Sequence, residues 1–377
     1  MTDAAQTAFS AADTEWMRAA LALAANAVGL CEPNPRVGCV IASADGGRVL
    51  GQGHTQAAGD AHAEVMALRD AAANGASAAG ATAYVTLEPC SHHGRTPPCC
   101  EALVAAGLAR VVVAVGDPNP LVAGAGIARL RAAGVQVEVG LLGDEARELN
   151  VGFFSRMTRG RPWLRAKVAV SLDGRTALPD GTSQWITGAA ARADGHGWRK
   201  RAGAVLTGVG TVVDDDPRLD VRLVATPTQP LRVIVDSRLD TPAGARILAP
   251  PGQVLVYAAN PAPGRADALE AQGAEIAFAP NAAGKVDLQA MLLDLGRRGI
   301  NELHVEAGAK LNGSFVREGL VDEWLVYMAP RLLGSGRDLA AFGPLASLAE
   351  TIELRWHEVE RVGDDLRLRL RAAPATR

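Results

Sequence analysis

Three short segments in the first third of the chain contain side chains that could do metal chemistry. His62-Ala63-Glu64 stands at the start of a predicted helix, Glu88-Pro89-Cys90 follows a predicted strand, and Pro97-Pro98-Cys99 opens the next helix. One imidazole and two thiolates would give Zn²⁺ three ligands and leave a fourth position for water, as in catalytic zinc sites. The metal would lower the pKa of that water to about 7, so that hydroxide is available at neutral pH.

Glu64 lies two residues after His62 and is better placed to carry protons than to bind the metal. It would take a proton from the zinc-bound water and deliver it to a ring nitrogen and then to the leaving amine. The pattern is typical of zinc deaminases, which share an H-x-E…P-C-x-x-C signature, but here eight residues separate Cys90 from Cys99. We predict that Glu64 is catalytic and that His62, Cys90 and Cys99 bind zinc, with the helix dipole favouring the Cys99 thiolate.

A closed structural zinc site is the main alternative for these residues. Structural zinc is four-coordinate, and the candidates for the fourth ligand are Cys100, His92 and His93. Glu64 would then have no task. Cys100 directly follows Cys99 in the predicted helix and should point elsewhere, so the open site is favoured.

Composition limits the classes of function. The chain has 377 residues, of which 48% are hydrophobic and 21% charged, as expected for a soluble globular protein of two domains. A net charge of -3 disfavours general affinity for nucleic acid or membrane surfaces, although it allows a basic pocket for one phosphate. All five cysteines lie in the first third, which favours metal or catalytic use in a reducing compartment. The N-terminus does not resemble a secretory signal and no apolar run is long enough to span a membrane, so we expect a cytoplasmic protein.

Both halves of the sequence alternate predicted strands with predicted helices, which indicates mainly parallel sheets covered on both faces. In the first domain, residues 1–155, the predicted helices are 13–28, 62–73, 98–106 and 127–133, and the predicted strands are 37–42, 48–51, 81–87, 110–115 and 136–139. A hairpin turn is predicted at Asp45-Gly46-Gly47. In the second domain, residues 156–377, the predicted strands are 163–171, 204–207, 231–236, 254–258, 302–306 and 323–328, and the predicted helices are 189–200, 266–272, 288–298 and 309–318. The segment FFSRMTRGRPW between them is interpreted as a linker.

Three segments of the second domain could bind a dinucleotide, each with a simpler alternative. Residues 208–213 form a broken G-x-G-x-x-G, which alone is weak evidence for a Rossmann site. Residues 304–315 are predicted as strand, glycine-containing turn and helix, whose first backbone amides suit a phosphate; tight packing alone would also explain the glycine. Ser237-Arg238 follows a predicted strand and could hold the 2'-phosphate of NADPH or form a surface turn.

The segments PNPRVGCVI, AHAEVMAL and TLEPCSHHGRTPPCCEAL resemble the bifunctional riboflavin-biosynthesis deaminase–reductases. The long spacing between Cys90 and Cys99 is that family's own pattern. KVAVSLDGRTA, SQWIT, LTGVGTVVDDDPRL, VIVDS and VEAG are similar to the reductase domain of the same family, and the resemblance extends from about Trp16 to Leu368. It implies an α/β fold with a cytidine-deaminase-like α/β/α N-terminal domain and a dihydrofolate-reductase-like α/β C-terminal domain.

The resemblance implies two activities, those of a zinc hydrolase and of an NADPH oxidoreductase. The first would release the 2-amino group of 2,5-diamino-6-(5-phosphoribosylamino)pyrimidin-4(3H)-one as ammonia. The second would reduce the ribosyl group of 5-amino-6-(5-phosphoribosylamino)uracil to ribityl, with hydride passing from NADPH to C1'. The implied cofactors are one Zn²⁺ per chain and NADPH. The expected assembly is a homo-oligomer, dimer or tetramer, without nucleic acid or membrane.

The resemblance also implies the residues of each site. In the deaminase domain Asn34 would contact the pyrimidine, and the candidates for the ribose phosphate are His54, His92 and Arg95. The reductase substrate site would contain Lys167, Ser183, Arg199, Leu219, Arg222 and Glu306. NADPH would be held by Ala169, Trp185, Thr211, Asp215, Ser237, Gly308, Ala309, Lys310, Leu311, Asn312, Gly313 and Ser314. Of the reductase residues, Arg199 and Arg222 could clamp a phosphate. Asp215 and Glu306 could orient ribose hydroxyls or stabilise an iminium, and Lys167 is the favoured proton donor.

Two other functions are compatible with part of this pattern. One is a zinc deaminase of free nucleosides or of bases in nucleic acid, with a non-catalytic second domain. The sequence lacks the basic, aromatic-interleaved stripe that nucleic-acid binding would favour. The other is a structural zinc module joined to a nucleotide-sensing domain, which the open metal position and Glu64 disfavour.

Overall fold

The computed structural model describes residues 9–91, 98–120 and 122–373. The chain forms two compact units, Met1–Gly160 and Arg161–Arg377, whereas the sequence-based boundary lies between residues 155 and 156. No helix within the described residues is long and apolar enough to cross a membrane.

The first unit contains a five-stranded sheet in the order β2-β1-β3-β4-β5. Its strands are β1 (Gly38–Ala42), β2 (Val49–His54), β3 (Thr82–Val85), β4 (Arg110–Val113) and β5 (Gln136–Val139). Its helices are α1 (Ala11–Ala25), α2 (Ala63–Ala73), α3 (Cys99–Ala105), α4 (Ala125–Ala132), α5 (Gly143–Leu149) and α6 (Val151–Arg159). β1 is antiparallel to β2 and β3, whereas β3, β4 and β5 are parallel. The predicted hairpin between β1 and β2 is confirmed, and it makes this sheet mixed rather than mainly parallel.

Close packing of helices on this sheet depends on glycines. Every residue of β1 and β3 is buried. A Cβ atom on Gly38 would lie 1.9 Å from the carbonyl oxygen of Ala20 in α1, and one on Gly53 would lie 2.5 Å from Cβ of Met66 in α2. These strand glycines therefore set how near the two helices approach the sheet, and α2 is the helix that begins beside His62.

Helix α6 occupies most of the segment that the sequence analysis interpreted as a linker, and that interpretation was wrong. The helix buries Phe153 and Ser155, and the guanidinium of Arg156 lies over the Phe153 ring at 5.8 Å from its centre. It ends at Gly160, whose φ of 70° is left-handed. Of the residues that suggested a linker, Arg156 and Arg159 belong to this helix and Gly160 ends it, whereas Arg161 is buried just beyond it.

The second unit contains a nine-stranded sheet in the order β11-β10-β9-β8-β12-β6-β13-β16-β15, and a two-stranded ribbon of β7 and β14. Its strands are β6 (Trp163–Ser171), β7 (Arg175–Ala177), β8 (Ala204–Gly208), β9 (Leu231–Val235), β10 (Val254–Ala258), β11 (Ala274–Phe278), β12 (Glu302–Val305), β13 (Glu323–Ala329), β14 (Arg337–Asp338), β15 (Leu354–Val362) and β16 (Asp365–Ala372). Its α-helices are α7 (Ala189–Arg201), α8 (Val209–Asp215), α9 (Pro263–Glu270), α10 (Leu288–Arg297) and α11 (Ala309–Arg317). The strands from β11 to β13 are parallel, and β16 and β15 continue the sheet in antiparallel fashion.

A buried ionic cluster joins the central strands of this second sheet. Arg165 of β6 is fully buried and donates to Glu302 of β12 at 2.8 Å and to Glu323 of β13 at 2.5 Å. Arg369 of β16 also donates to Glu323. Burial alone would raise the pKa of Glu323, but the guanidinium of Arg165 and that of Arg369 lower it to about 2. The cluster therefore contains fixed charges that pair neighbouring strands.

Candidate functional site

The structure brings the three predicted zinc ligands together. His62 is the N-cap residue of α2, Cys90 lies beyond the end of β3, and Cys99 is the first residue of α3. The Nδ1 atom of His62 is 3.2 Å from Sγ of Cys99 and 3.6 Å from Sγ of Cys90, and the three ligand atoms lie within 4.8 Å of one another. A single tetrahedral ion fits such a group of imidazole and sulfur donors, with one position left for water.

The two thiols of this group differ in acidity. The Cys99 thiol and the His62 ring donate to Sγ of Cys90, as does the Cys99 backbone N–H at 3.3 Å, and these contacts lower the pKa of Cys90 to about 4. The hydrogen bond to Cys90, together with burial, raises the pKa of Cys99 far above its usual range. The sequence analysis placed the favoured thiolate on Cys99, whereas the backbone amide at this helix start contacts Cys90. Zinc binding would require both sulfurs as thiolates.

Glu64 lies in the first turn of α2 with its side chain almost fully buried beside the ligands. Burial, and next the neighbouring Cys90 sulfur, raise the pKa of Glu64 to about 7. A carboxyl group that titrates near neutrality can both accept and return a proton. Glu64, His62 and Cys90 share a cavity of about 470 Å³. The arrangement can therefore move protons at a metal-activated water.

The remaining cysteines lie outside the metal group. Among the described residues, His62, Cys90 and Cys99 form the one group of three or more potential ligands. Cys100 is buried in the hydrophobic core of the unit, which confirms that it points elsewhere. The other candidates for a fourth ligand, His92 and His93, and the predicted phosphate contact Arg95 lie outside the described residues.

The cavity walls contain one predicted substrate residue and several that the sequence analysis missed. Asn34, the predicted pyrimidine contact, lines the cavity, and so do Asp117, Asn119 and Arg156. The two missed residues of the D-P-N-P segment follow strand β4, and side chains after the carboxyl ends of parallel strands often form sites. His54, the remaining predicted phosphate contact, ends β2, and its role stays a prediction.

In the second unit, Glu306 follows strand β12 and binds two predicted cationic partners. Arg199 of α7 donates to both of its carboxylate oxygens, at 2.5 and 3.0 Å, and Nζ of Lys167 lies 3.4 Å away. Burial would raise the pKa of Glu306, but the charges of Arg199 and Lys167 hold it well below its usual range. The three predicted substrate residues therefore form one cluster, and Glu306 in it is an ionised acceptor rather than a proton donor.

The two predicted phosphate-clamping arginines have different environments. Arg199 also donates to the carbonyl oxygen of Asp220 at 2.9 Å, and its side chain is largely buried. Arg222 pairs with the Asp220 carboxylate at 2.7 Å and is almost half exposed. The adjacent predicted residue Leu219 has a left-handed φ of 50°. A phosphate would reach Arg222 more easily, and the clamp itself stays a prediction.

Two of the predicted NADPH-binding segments meet at the carboxyl ends of adjacent strands. β8 leads into α8, which contains Thr211 and Asp215, and β12 leads to Gly308, the N-cap residue of α11. A Cβ atom on Gly308 would lie 3.7 Å from Oγ1 of Thr211. The predicted strand, turn and helix over 304–315 is thus confirmed, and the start of α11, a kind of position that suits a phosphate, lies beside the turn after β8.

The other predicted NADPH contacts are spread over the same unit. Trp185 is exposed and stacks on the guanidinium of Arg192 at 4.6 Å, and Oγ of Ser237, just beyond β9, accepts from the backbone N–H of Val286. Asn312 is buried and donates to two backbone carbonyl groups, which is a structural task. The remaining positions are Ala169 in β6 and, in α11, Ala309, Lys310, Leu311, Gly313 and Ser314.

Comparison with protein families matches both units. The family model described as the cytidine and deoxycytidylate deaminase zinc-binding region matches residues 10–115. The model described as the RibD C-terminal domain matches residues 162–368, more than half of the chain.

Comparison with individual proteins gives matches over nearly the whole length. The chain is 44% identical to the riboflavin biosynthesis protein RibD of Escherichia coli, over 95% of this chain and 99% of that protein. It is similar to the structure of Acinetobacter baumannii RibD, with 43% identity, a TM-score of 0.87 and coverage of 96% and 99%. A Thermotoga maritima structure, titled a diaminohydroxyphosphoribosylaminopyrimidine deaminase/5-amino-6-(5-phosphoribosylamino)uracil reductase, is 31% identical with a TM-score of 0.86 and the same coverage.

Proposed function

Because the chain belongs to the riboflavin biosynthesis protein RibD family, we propose that it catalyses two steps on one pyrimidine ribotide. The first is hydrolytic deamination of 2,5-diamino-6-(5-phosphoribosylamino)pyrimidin-4(3H)-one. The second is NADPH-dependent reduction of the ribosyl group of the product to ribityl. The observation that carries the proposal is the three-ligand group with the buried Glu64 beside it, in a chain that also has the Arg199–Glu306–Lys167 cluster.

Deamination exchanges the amino group at C2 of the pyrimidine for an oxygen from water and releases ammonia. His62, Cys90 and Cys99 would hold Zn²⁺, which when bound supplies an activated water. Glu64 accepts a proton from the attacking water, returns one to the ring nitrogen and assists the departing amine. Burial of Glu64 suits this work because it raises the pKa of the carboxyl group and so favours the protonated form that can return a proton.

Reduction requires the nicotinamide of NADPH to lie against C1' of the ring-opened ribosyl group. The turns after β8 and β12 would hold the cofactor, which supplies the hydride. The ionised Glu306 accepts hydrogen bonds and stabilises positive charge on the iminium, while Arg199 fixes its orientation. Lys167 lies beside this carboxylate and is the proposed proton donor to the opened sugar.

One assay separates the two activities. The zinc-loaded protein is incubated with the diaminopyrimidine ribotide, with and without NADPH, while ammonia and NADPH oxidation are followed. We expect ammonia in both reactions and NADPH oxidation where the cofactor is present. Ammonia without NADPH oxidation would contradict the reductase function, and the absence of both would contradict the whole proposal.

Two matched carboxylate variants assign the activities to their sites. Glu64→Gln should retain zinc and lose deamination by several orders of magnitude, and reduction of the uracil ribotide should persist. Glu306→Gln should lose reduction, roughly a hundredfold or more, because misplaced groups around a reacting centre cost that much, and should retain ammonia release. A parallel fall of both activities in either variant would contradict the division of labour.

We propose a cytoplasmic homo-oligomer, dimer or tetramer, that acts on small molecules without nucleic acid or membrane. Cell fractionation tests the cytoplasmic location, and light scattering of the purified protein tests for a dimer or tetramer.

A further inference from the structure

Glu88 follows strand β3, and the chemistry above gives it no task. Its side chain is buried, and its two carboxylate oxygens accept hydrogen bonds from four backbone N–H groups. Oε2 accepts from Asp117 at 3.2 Å and Gly124 at 2.9 Å. Oε1 accepts from Gly126 at 3.0 Å and Ile127 at 3.2 Å. One buried carboxylate thus accepts from four backbone donors, two on each oxygen.

These donors belong to two neighbouring stretches, residues 117–120 and 122–127, together called here the cavity wall. Asp117 and Asn119 of this wall line the deaminase cavity that Glu64 also lines. Oδ1 of Asp117 accepts from the backbone N–H of Asn119 at 2.8 Å, so the two lining residues are held to each other. The other end of the wall is the first turn of α4, whose positive dipole end favours a carboxylate. Glu88 therefore binds the wall at Asp117 and again at the start of α4, with Asn119 between these contacts.

Close packing against the Glu88–Pro89 backbone also holds the wall in position. A Cβ atom on Gly126 would lie 1.9 Å from the carbonyl oxygen of Pro89, so the backbone of the wall rests directly on the Glu88–Pro89 segment. Pro89 precedes the metal ligand Cys90. The hydrogen bonds and this contact together fix the distance between the wall and the metal group.

We propose that Glu88 is a positioning residue for deamination, whose carboxylate holds the cavity wall so that Asp117 and Asn119 face the bound pyrimidine ribotide. Glu88 itself borders the cavity, but its carboxylate oxygens accept from the backbone N–H groups of the wall, so that it acts through the wall rather than on the reacting atoms. The inference rests on the deaminase function proposed above. It predicts that loss of the carboxylate weakens substrate binding more than it slows the chemical step.

The variant Glu88→Gln tests this because its amide nitrogen would place a donor against two backbone donors. We expect KM for the diaminopyrimidine ribotide to rise about tenfold or more and kcat to fall less than about threefold. A tenfold rise in KM corresponds to a loss of about 1.4 kcal/mol of substrate-binding free energy. Zinc content, and NADPH oxidation with the uracil ribotide as substrate, should not change. The matched control Glu101→Gln removes a partly exposed carboxylate of α3 that pairs with Arg129, and should alter none of these quantities.

A double-mutant cycle with Asn119→Ala decides whether Glu88 acts through the wall. Because Asp117 also depends on the wall, we expect the double variant to raise KM by less than the product of the two single-variant increases. Additive effects, loss of zinc, or a lower Tm with unchanged KM would each overturn the inference. If Glu88→Gln does not fold, Glu88→Asp, which keeps the charge on a shorter side chain, takes its place in the cycle. A wild-type protein that releases no ammonia would overturn the deaminase function as well, so the two failures are distinguishable.

Discussion

Two glutamates, one in each unit, have pKa values that their neighbours shift in opposite directions. Burial beside the Cys90 sulfur raises the pKa of Glu64 to about 7. Despite its own burial, Glu306 has a pKa well below its usual range because Arg199 and Lys167 contact it. The same side chain is therefore suited to carry protons in one unit and to remain a fixed negative charge in the other.

A pH-dependent contribution to stability is expected from His196 of α7. Its Nδ1 accepts from the backbone N–H of Arg222, and burial followed by the charges of Arg199 and Arg222 lower its pKa to about 4. Between pH 6.5 and 4 the unfolded chain binds more protons than the folded one, so stability falls as the pH falls through this window. We expect a loss of about 1–3 kcal/mol, measured by denaturant unfolding of the second unit.

The control for this prediction is His196→Gln, which removes the titrating group. Its unfolding free energy should depend less on pH between 6.5 and 4 than that of the wild type. An equal pH dependence in both proteins would show that other groups are responsible.

At the residue level, the sequence predicted the metal group and Glu64 because their chemistry depends on short motifs. His62, Glu64, Cys90 and Cys99 each stand next to a recognisable helix start or strand end. Asp117 was not predicted, because a polar residue after a strand has functional meaning only once the neighbouring strands are placed. The acidity of the two thiols also depends on which sulfur accepts the backbone N–H of Cys99, and the spacing of the cysteines in the sequence does not determine this.

At the level of elements, the glycines of β2 control the position of α2. Gly53→Ala should destabilise the first unit by about 1–3 kcal/mol, because the added methyl would meet Met66 of α2. Since α2 begins beside His62 and carries Glu64, we also expect weaker zinc binding and slower deamination. Metal titration and thermal unfolding measure the two effects.

A matched control is Gly47→Ala in the exposed turn between β1 and β2. A Cβ atom there has its nearest neighbour at 3.4 Å, in the Asp45 side chain, and should cost little. If Gly53→Ala behaved like Gly47→Ala, the close contact between β2 and α2 would not matter.

The ionic cluster of the second sheet predicts a large effect from Arg165. Arg165→Met would leave Glu302 and Glu323 buried without their shared partner, which costs about 3–5 kcal/mol. We expect the second unit to unfold at lower denaturant concentration and to lose NADPH oxidation, while ammonia release continues. Arg361→Met, at an exposed pair with Asp364 at 3.8 Å, should change stability by less than about 0.5 kcal/mol. Equal effects of the two substitutions would contradict the role of the buried cluster.

Most strands and helices of the parallel part of the second sheet were predictable, because short apolar runs typical of strands alternate along the chain with segments of helical periodicity. The hairpin of β15 and β16 was not, because its arginines and glutamates suggest solvated surface. In the structure Arg369 of β16 pairs with the buried Glu323 and with Glu358 of β15. A charged strand of this kind is stabilised by ion pairs between strands, which apolar periodicity does not reveal.

For the whole molecule, metal removal should separate the two activities. All three potential zinc ligands lie in the first unit, and none of the predicted reductase residues does. Treatment with a chelator should therefore abolish ammonia release and leave NADPH oxidation with the uracil ribotide unchanged. Addition of Zn²⁺ should restore deamination. Loss of NADPH oxidation together with zinc would show that the second unit depends on the metal.

The division of the chain between Gly160 and Arg161 also has a genetic consequence. A mutation that disables one unit leaves the other gene segment able to encode a working site. Two defective alleles, one altered at Glu64 and the other at Glu306, should therefore complement each other in one cell, whereas two alleles altered in the same unit should not.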